Sequence, residues 1–538
     1  MSEEELFLGF DSSTQSLKVS IVNKDLKLVY SYGINFDKDL SRFGTQSGVF
    51  KDEDGSIYQP PLLWVAAYDM IFEQMKKDCV HFENIKSMSI SGQQHGSVYW
   101  KNNSLTILEN LDVLKSLEDN LQNCFSINKS PIWMDSTTTI ECKHLETVVG
   151  GPQQLANITG SRAYERFTGN QIAKIYTHHP QEYNNTERIS LVSSFGACLL
   201  AGKYSNIDVS DGSGMNLLDI HTKQWCKECL DACAPELAVK LGDPVDSWEV
   251  TGPISSYYVN KYGVCEKCIV VSGSGDNNCS LTALGLINRG EVGVSLGTSN
   301  TFFGITNDPV PGLEGHIFVS PVDKEAFMCM LCYKNGDFVR SEVNKTVCGG
   351  DWDKYSNILK ESKPGNNGYI TMIFNEPEIT PNITKSGSYI WDDQDRLIVN
   401  TDDESLDHVY PACKVRGVIE YQFMSMRIHS ESIGIKSPSK LIATGGASNN
   451  KEILQILSDI FNCPVYTIKQ SDSASLGAAF RALHGYICYT KQQYVPYVDI
   501  LTNTYLSSFT LSNTPNIDAY NVYTQLLPRY MKHEIELM

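Results

Sequence analysis

The chain opens on an apolar run, Leu6 to Phe10, then a polar turn, Asp11-Ser12-Ser13-Thr14. A second run to Val22 follows, in which Leu17, Val19 and Ile21 alternate with polar residues. Alternation with period two on either side of small hydroxyl residues predicts a β-hairpin. The device recurs at Glu291–Thr306, where the turn is Gly297-Thr298-Ser299. A third element, Lys440–Phe461, reads as a strand ending in Gly445-Gly446 and a helix from near Ser448. Ile453, Leu454, Leu457, Ile460 and Phe461 form its apolar stripe. Ile85–Gly92 predicts a strand ending at a turn. Glu266–Gly285 predicts a strand, a Gly-Ser turn and a small-residue helix. Glu187–Gly202 reads as a helix, with Ile189, Val192, Ala197 and Leu200 on one face and Gly202 at its end. Arg416–Ser432 and Ser473–Gly485 also read as helices, whereas 345–410, rich in Asn, Asp, Pro and Gly, reads as an insertion of surface loops. Duplication of the hairpin places a domain boundary near 250–290.

Turns of this kind suit anions. Successive backbone N–H groups make a concave donor site, glycine lets a phosphate approach, and hydroxyls add donors. Asp11 cannot itself hold a phosphate; its role would be to hold Mg²⁺ through water. Gly445-Gly446 would let a flat purine lie against the backbone. No GxxxxGK[ST] string is present, so the nucleotide fold is not that of the P-loop proteins.

Composition narrows the classes. A chain of 538 residues can bury more than one core, and 41% hydrophobic with 20% charged residues is ordinary for a globular protein. The net charge of −19 disfavours nucleic acid. No run reaches the ~18 apolar residues of a membrane span, and the acidic start, MSEEEL, is no signal peptide. The expectation is a cytoplasmic protein whose sixteen cysteines are thiols. Cys226-x-x-Cys229 and Cys265-x-x-Cys268 have the form of zinc knuckles. Cys226, Cys229 and Cys233, however, fall on one helix face, the spacing of core thiols.

Several stretches together, SGQQHGSVYW, SRAYERFTGNQIAKIY, ERISLVSSF, SDGSGMNLL, GDN, VSLGTS and ATGGAS, resemble the carbohydrate kinases of the FGGY family, in particular their eukaryotic xylulokinase branch. The three turn elements resemble the phosphate-1, phosphate-2 and adenosine motifs of the actin-like ATPase superfamily. The resemblance runs from Leu6 to about Arg529. It implies an α/β chain of two ribonuclease-H-like domains with a catalytic cleft between them: a sugar-binding domain over 1–285 and a nucleotide-binding domain over 286–538. The tail after Gly485 belongs to the second or packs back on the first. It implies ATP and Mg²⁺, phosphorylation of D-xylulose to D-xylulose 5-phosphate for pentose phosphate metabolism, and a monomer or homodimer with no nucleic-acid or membrane partner.

Site residues follow by matching. His95 stands in a strand-end loop between Gly92 and Gly96, where ligands of α/β sheets collect. The resemblance makes Gln94, His95, Arg166 and Asn277 sugar ligands, selects Arg166 over Arg162, and makes Asp276 the general base. Thr14, Gly297 and Thr298 would hold phosphate oxygens, Gly445, Gly446, Asn449 and Asn450 the adenosine, and Asp11 the metal. Trp352 borders the adenine or anchors packing; Lys18 faces the first loop or solvent. At Asp135 the wider family often has an Arg two residues later, where Thr137 stands here. The competing readings are a kinase of the same fold for ribulose, gluconate or glycerol, and a non-catalytic actin-like ATPase switch. The switch would need no polyol contacts and no strand-end base.

Overall fold

The computed structural model describes residues 4–400, 411–468 and 472–538. The chain folds into two compact units. One gathers Met1–Ile287, Ile317–Ala326 and Gln470–Leu506; the other gathers Asn288–His316, Phe327–Lys469 and Ser507–Met538. The late segment Gln470–Leu506 returns to the first unit, where its helix covers the sheet.

In the first unit β1 (Leu6–Ser12), β2 (Ser16–Asn23) and β3 (Leu28–Asn35) form an antiparallel meander. Parallel to β1 lies β4 (Ile85–Gly92), so that Asp11 pairs with Ser91 and Ser12 with Gly92. Beyond it come β5 (Val250–Pro253), antiparallel at the edge, and β6 (Ile269–Val271), parallel to β4, giving the order β5-β6-β4-β1-β2-β3. A short strand β7 (Ser274–Gly275) also runs parallel to β4 and leads directly into helix α1 (Asp276–Ala283). The core beneath holds Phe10, Trp64, Tyr68, Phe72, Ile90 and Phe195, all essentially without exposure.

The second unit repeats the plan. Strands β8 (Glu291–Leu296), β9 (Asn300–Thr306) and β10 (Phe327–Tyr333) are antiparallel neighbours, and β11 (Lys440–Thr444) and β12 (Val465–Thr467) extend the sheet in parallel from β8. An antiparallel edge strand, β13 (Thr510–Asn513), completes the order β10-β9-β8-β11-β12-β13. From meander to edge, both sheets run antiparallel, antiparallel, parallel, parallel, antiparallel. This is the mixed sheet that the duplicated hairpin foreshadows.

Helix α2 (Ser473–Lys491) lies on β1 and β4. The approach is so close that a Cβ on Gly9 would stand 2.1 Å from the Ala479 amide nitrogen, so no other residue fits there. Ser20 and Ser475 share a hydroxyl hydrogen bond of 2.8 Å, and Ser87 donates to the Ala482 carbonyl at 2.7 Å.

Three elements differ from the sequence expectation. Thr186–Leu191 is a strand paired with Ser97–Lys101, and the helix begins only at Val192. Ile189 and Leu191 are buried on alternation, and the three-residue step from Ile189 to Val192 imitates a helix. Within 345–410, helix Trp352–Glu361 and a three-stranded sheet of Ile370–Phe374, Gly387–Trp391 and Leu397–Asn400 replace the expected loops; positions 401–410 lie outside the described residues. After Gly445 a tight turn over Gly446–Asn449 precedes the helix, which starts at Lys451 rather than near Ser448. The Asn450 side chain sets that start by accepting from the Glu452 and Ile453 amides at 3.0 and 3.2 Å. No described helix is long and apolar enough to cross a membrane.

Candidate active site

In the first unit the ends of β1, β4 and β7 lie side by side, and each carries polar chemistry beyond its last pairing. From β1, Asp11 is buried and accepts from the Ser91 hydroxyl at 2.9 Å. Burial, and then the neighbouring Asp276 charge, raise its pKa to about 7 against the pull of Ser91 and Lys18. The Lys18 ammonium pairs with Asp472 at the start of α2. In the turn after β1, the Ser13 amide donates to the Ser16 carbonyl at 3.0 Å. Thr14 is held on both sides: the Trp133 indole donates to its hydroxyl at 2.9 Å and the Gln59 amide to its carbonyl at 2.8 Å.

From β4 the chain runs into Gln93, Gln94 and His95, all buried. His95 has φ of +68°, a left-handed backbone that a residue with a Cβ keeps only when its surroundings hold it. They do: the ring Nδ1 bonds the Gly214 carbonyl at 2.7 Å, the ring stacks on Phe167 at 4.3 Å, and the His95 carbonyl accepts from the Thr168 hydroxyl at 2.8 Å. Burial, reinforced by the Arg166 charge, drives the imidazole pKa down to about 3. The ring is therefore neutral, with Nδ1–H engaged and Nε2 left as an acceptor for a hydroxyl. The Arg166 guanidinium lies over the Tyr164 and Phe167 rings at 4.9 and 5.8 Å, which places it beside the same stack.

From β7, Asp276 is the first residue of α1. It accepts from the Asn277 amide at 2.8 Å, and the Asn277 side chain bridges it to Gln94, with 3.2 Å to Asp276 and 3.0 Å to Gln94 Oε1. Lost hydration raises its pKa to about 6, while the amides of Asn277, Asp276 and Gln94 hold it from going higher. The residue retains some exposure, so a solute can reach it. Asp11, Asp276, Asn277, Gln94, His95 and Arg166 thus share one face of one unit. Asp135 has a different task. It is buried and accepts from the Ile57 amide, the Thr137 amide and hydroxyl, and the Gln171 side chain at 2.6 to 3.0 Å. It organises a loop, and Thr137 supplies bonds within it.

In the second unit a cavity of about 550 Å³ is lined by Trp352, Ser356, Gly446, Asn449, Asn450 and Ile453, with Asp337 at its wall. A Cβ built on Gly446 meets nothing within 4 Å, so the space over it is open. Gly445, at φ +84°, would instead drive a Cβ to 2.6 Å from the Leu296 carbonyl. Trp352, 39% exposed, has its ring 5.1 Å from Tyr355. Asn450 lines this cavity, yet its side chain is occupied by the helix cap and by donation to Ser356 Oγ at 2.8 Å. The turn Gly297-Thr298-Ser299 between β8 and β9 leaves Thr298 and Ser299 exposed. Beneath it Arg340, wholly buried, donates to the Gly297 carbonyl at 3.2 Å, Asn300 Oδ1 at 3.2 Å and Gln422 Oε1 at 2.8 Å.

The profile of the N-terminal domain of the FGGY family of carbohydrate kinases matches residues 6–285, and that of the C-terminal domain matches 292–486. The chain belongs to the FGGY family of carbohydrate kinases. It is 46% identical to a xylulose kinase of Rattus norvegicus over 99% of this chain and 97% of the relative. It is 43% identical to xylulose kinase 2 of Arabidopsis thaliana over 99% and 98%. Its fold is similar to that of a xyloylose kinase from Brucella ovis, with a TM-score of 0.81, 18% identity and 99% of each chain covered.

For an FGGY kinase the structure adds residues that spacing could not single out. Ser91 is one, from its register with Asp11. Asp211, inside SDGSGMNLL, is another: its Oδ2 accepts from Ser193 at 2.5 Å and its Oδ1 is buried without a partner. Burial, with Asp208 and Asp276 nearby, raises its pKa to about 8, so it keeps its proton at neutral pH. Arg340 and Gln422 are further cases, being 82 residues apart in sequence. Among the described residues no three His, Cys, Asp or Glu side chains converge on a metal position. A cation held by one carboxylate together with substrate phosphates and water requires no such group.

Proposed function

We propose that the chain transfers the γ-phosphoryl group of ATP to D-xylulose, giving D-xylulose 5-phosphate and ADP. The observation that carries this reading is Asp276, a reachable carboxyl with a pKa near 6 at a strand end, joined through Asn277 to Gln94 and set in a unit with the neutral His95. Near-full-length similarity to proteins named xylulose kinases supports this sugar over ribulose, gluconate or glycerol.

Gln94, His95, Arg166 and Asn277 hold hydroxyls of the sugar. Above about pH 6 Asp276 is ionised and accepts the proton of the attacking hydroxyl as its oxygen bonds to phosphorus. The proton ends on the carboxylate and leaves to solvent with the product. Thr14, Gly297 and Thr298 take phosphate oxygens. Trp352, Gly445, Gly446, Asn449 and Asn450 take the adenosine, Asn450 through its cavity-facing surface rather than its engaged amide. The sugar side is assigned to the first unit and the adenosine to the second. Asp11 is assigned to Mg²⁺. Its carboxyl, held near pH 7 by burial and by Asp276, is one that a hard cation would ionise, and the bound ion would neutralise phosphate charge. The sixteen cysteines, all free thiols, suit a reducing cytoplasm.

The test is ADP release measured over a panel of ketoses and polyols. D-xylulose should give the highest kcat/KM. Faster turnover of ribulose, gluconate or glycerol would reassign the substrate, and ATP hydrolysis indifferent to every sugar would favour the switch.

A further inference from the structure

Two ions are buried behind the strand that delivers Asp276. Asp208 has no exposure and Arg481 has 2%. Nη2 of Arg481 donates to Oδ2 of Asp208 at 2.8 Å. Asp208 precedes the single turn Val209–Gly212, and its Oδ1 accepts from the Asp211 amide at 2.8 Å. Arg481 comes from α2, the late helix of the same unit.

The pair holds two points on the chain just before Asp276. Nη2 of Arg481 also donates to the Ser272 carbonyl at 3.0 Å, which the Ser89 hydroxyl reaches at 3.0 Å as well. The Ser274 hydroxyl donates to Oδ1 of Asp208 at 3.2 Å and accepts from the Asn278 side chain, in the first turn of α1, at 3.3 Å. Ser272 and Ser274 are both buried. Helix α1 itself rests on α2, so closely that a Cβ on Gly477 would overlap the Cys279 carbonyl. The stretch from Ser272 to Gly275 is thus held at both serines and ends at the carboxyl of Asp276.

Stability is a poor explanation of the pair. Both ions have given up their hydration, and Nε and Nη1 of Arg481 find no partner among the described residues. Mutual attraction offsets such a loss only when the remaining donors are satisfied. What the pair does supply is direction, and rates fall steeply when a reacting group is displaced.

We propose that Asp208 and Arg481 are positioning residues that aim the Asp276 carboxylate at the attacking sugar hydroxyl. The inference rests on the reading of Asp276 as the general base.

The test is a cycle of variants in the full-length enzyme. Asp208→Asn combined with Arg481→Met removes both charges together and keeps an oxygen for the Asp211 amide and the Ser274 hydroxyl. Replacing a whole buried pair costs little stability, so the melting temperature should hold. The kcat should fall about tenfold or more with the KM for ATP unchanged. Made on top of Asp276→Asn, the same change should cost less than about twofold, because no base remains to be aimed. Ser274→Ala, the loss of one hydroxyl, should show the same dependence on Asp276, and it decides the question if the combined variant unfolds. Wild-type kcat, or an equal loss with and without Asp276→Asn, overturns the positioning role and leaves the base in place. Near wild-type turnover of Asp276→Asn alone removes the base and the positioning role with it.

Discussion

The Asn277 backbone amide donates to Oδ1 of Asp276 at 2.8 Å, and the Asn277 side chain reaches the same oxygen at 3.2 Å. Asp276→Asn keeps an oxygen there for both donors and removes only the basic site. Turnover should fall about 10²–10⁴-fold, the usual share of a general base, with the KM for D-xylulose changed only a few-fold. Near wild-type turnover at saturating sugar and Mg-ATP would remove Asp276 from the role of base.

The same carboxyl sets a pH profile. Its pKa is raised from 3.8 to about 6, and the working form is the ionised one. The kcat/KM for sugar should therefore drop toward acid, about tenfold per unit below that value, and level off above it. His95, neutral above about pH 3, should add no second limb near neutrality. A profile flat from pH 5 to 8 in wild-type enzyme contradicts the assignment.

Gly446 offers a contrast with Gly445. Gly446→Val places its methyls in open space over the second unit's cavity, so thermal stability should hold while the KM for ATP rises about tenfold, equivalent to ~1.4 kcal/mol. Gly445→Val forces a Cβ against the Leu296 carbonyl at φ +84° and should unfold the second unit first. Equal ATP kinetics for wild type and Gly446→Val would take the adenosine out of that cavity.

His429 gives the second unit a stability that depends on pH. Burial alone would lower its pKa, but bonds from Nδ1 to Glu314 at 2.9 Å and from Nε2 to Glu534 at 3.2 Å raise it from 6.5 to about 9. Both states are protonated below the unfolded value, so the stabilisation is whole there. It is lost as pH rises through the folded value, and on the order of 3 kcal/mol is at stake. Melting curves of wild type and His429→Gln should converge between pH 6.5 and 9.5; parallel curves would deny the linkage.

Much of this was legible in the chain, and the reasons differ by element. The hairpins at Leu6–Val22 and Glu291–Thr306 declare themselves because alternation and small-residue turns are local signals, and the hairpin repeat matches the repeated sheet order. Thr186–Leu191 misleads because a six-residue strand running straight into a helix presents apolar residues at both spacings. The sheet over 370–400 is hidden by short strands between polar turns. Arg340 under Gly297, and Asp211 beside the Asp276 turn, are invisible for another reason. Their partners come from distant positions, and nothing in a neighbouring residue reports that a charge will be buried.

The close contact of Gly9 with Ala479 has a consequence for synthesis. A ribosome delivers β1 more than four hundred residues before the helix that covers it. Throughout that interval the nascent first unit carries an apolar sheet face with no lid. It is in the position of a long-range fold, which closes slowly and is exposed to aggregation meanwhile. Chains arrested before Ser473 should remain protease-sensitive across β1 and β4, and should acquire protection only once the segment to about Leu506 has emerged.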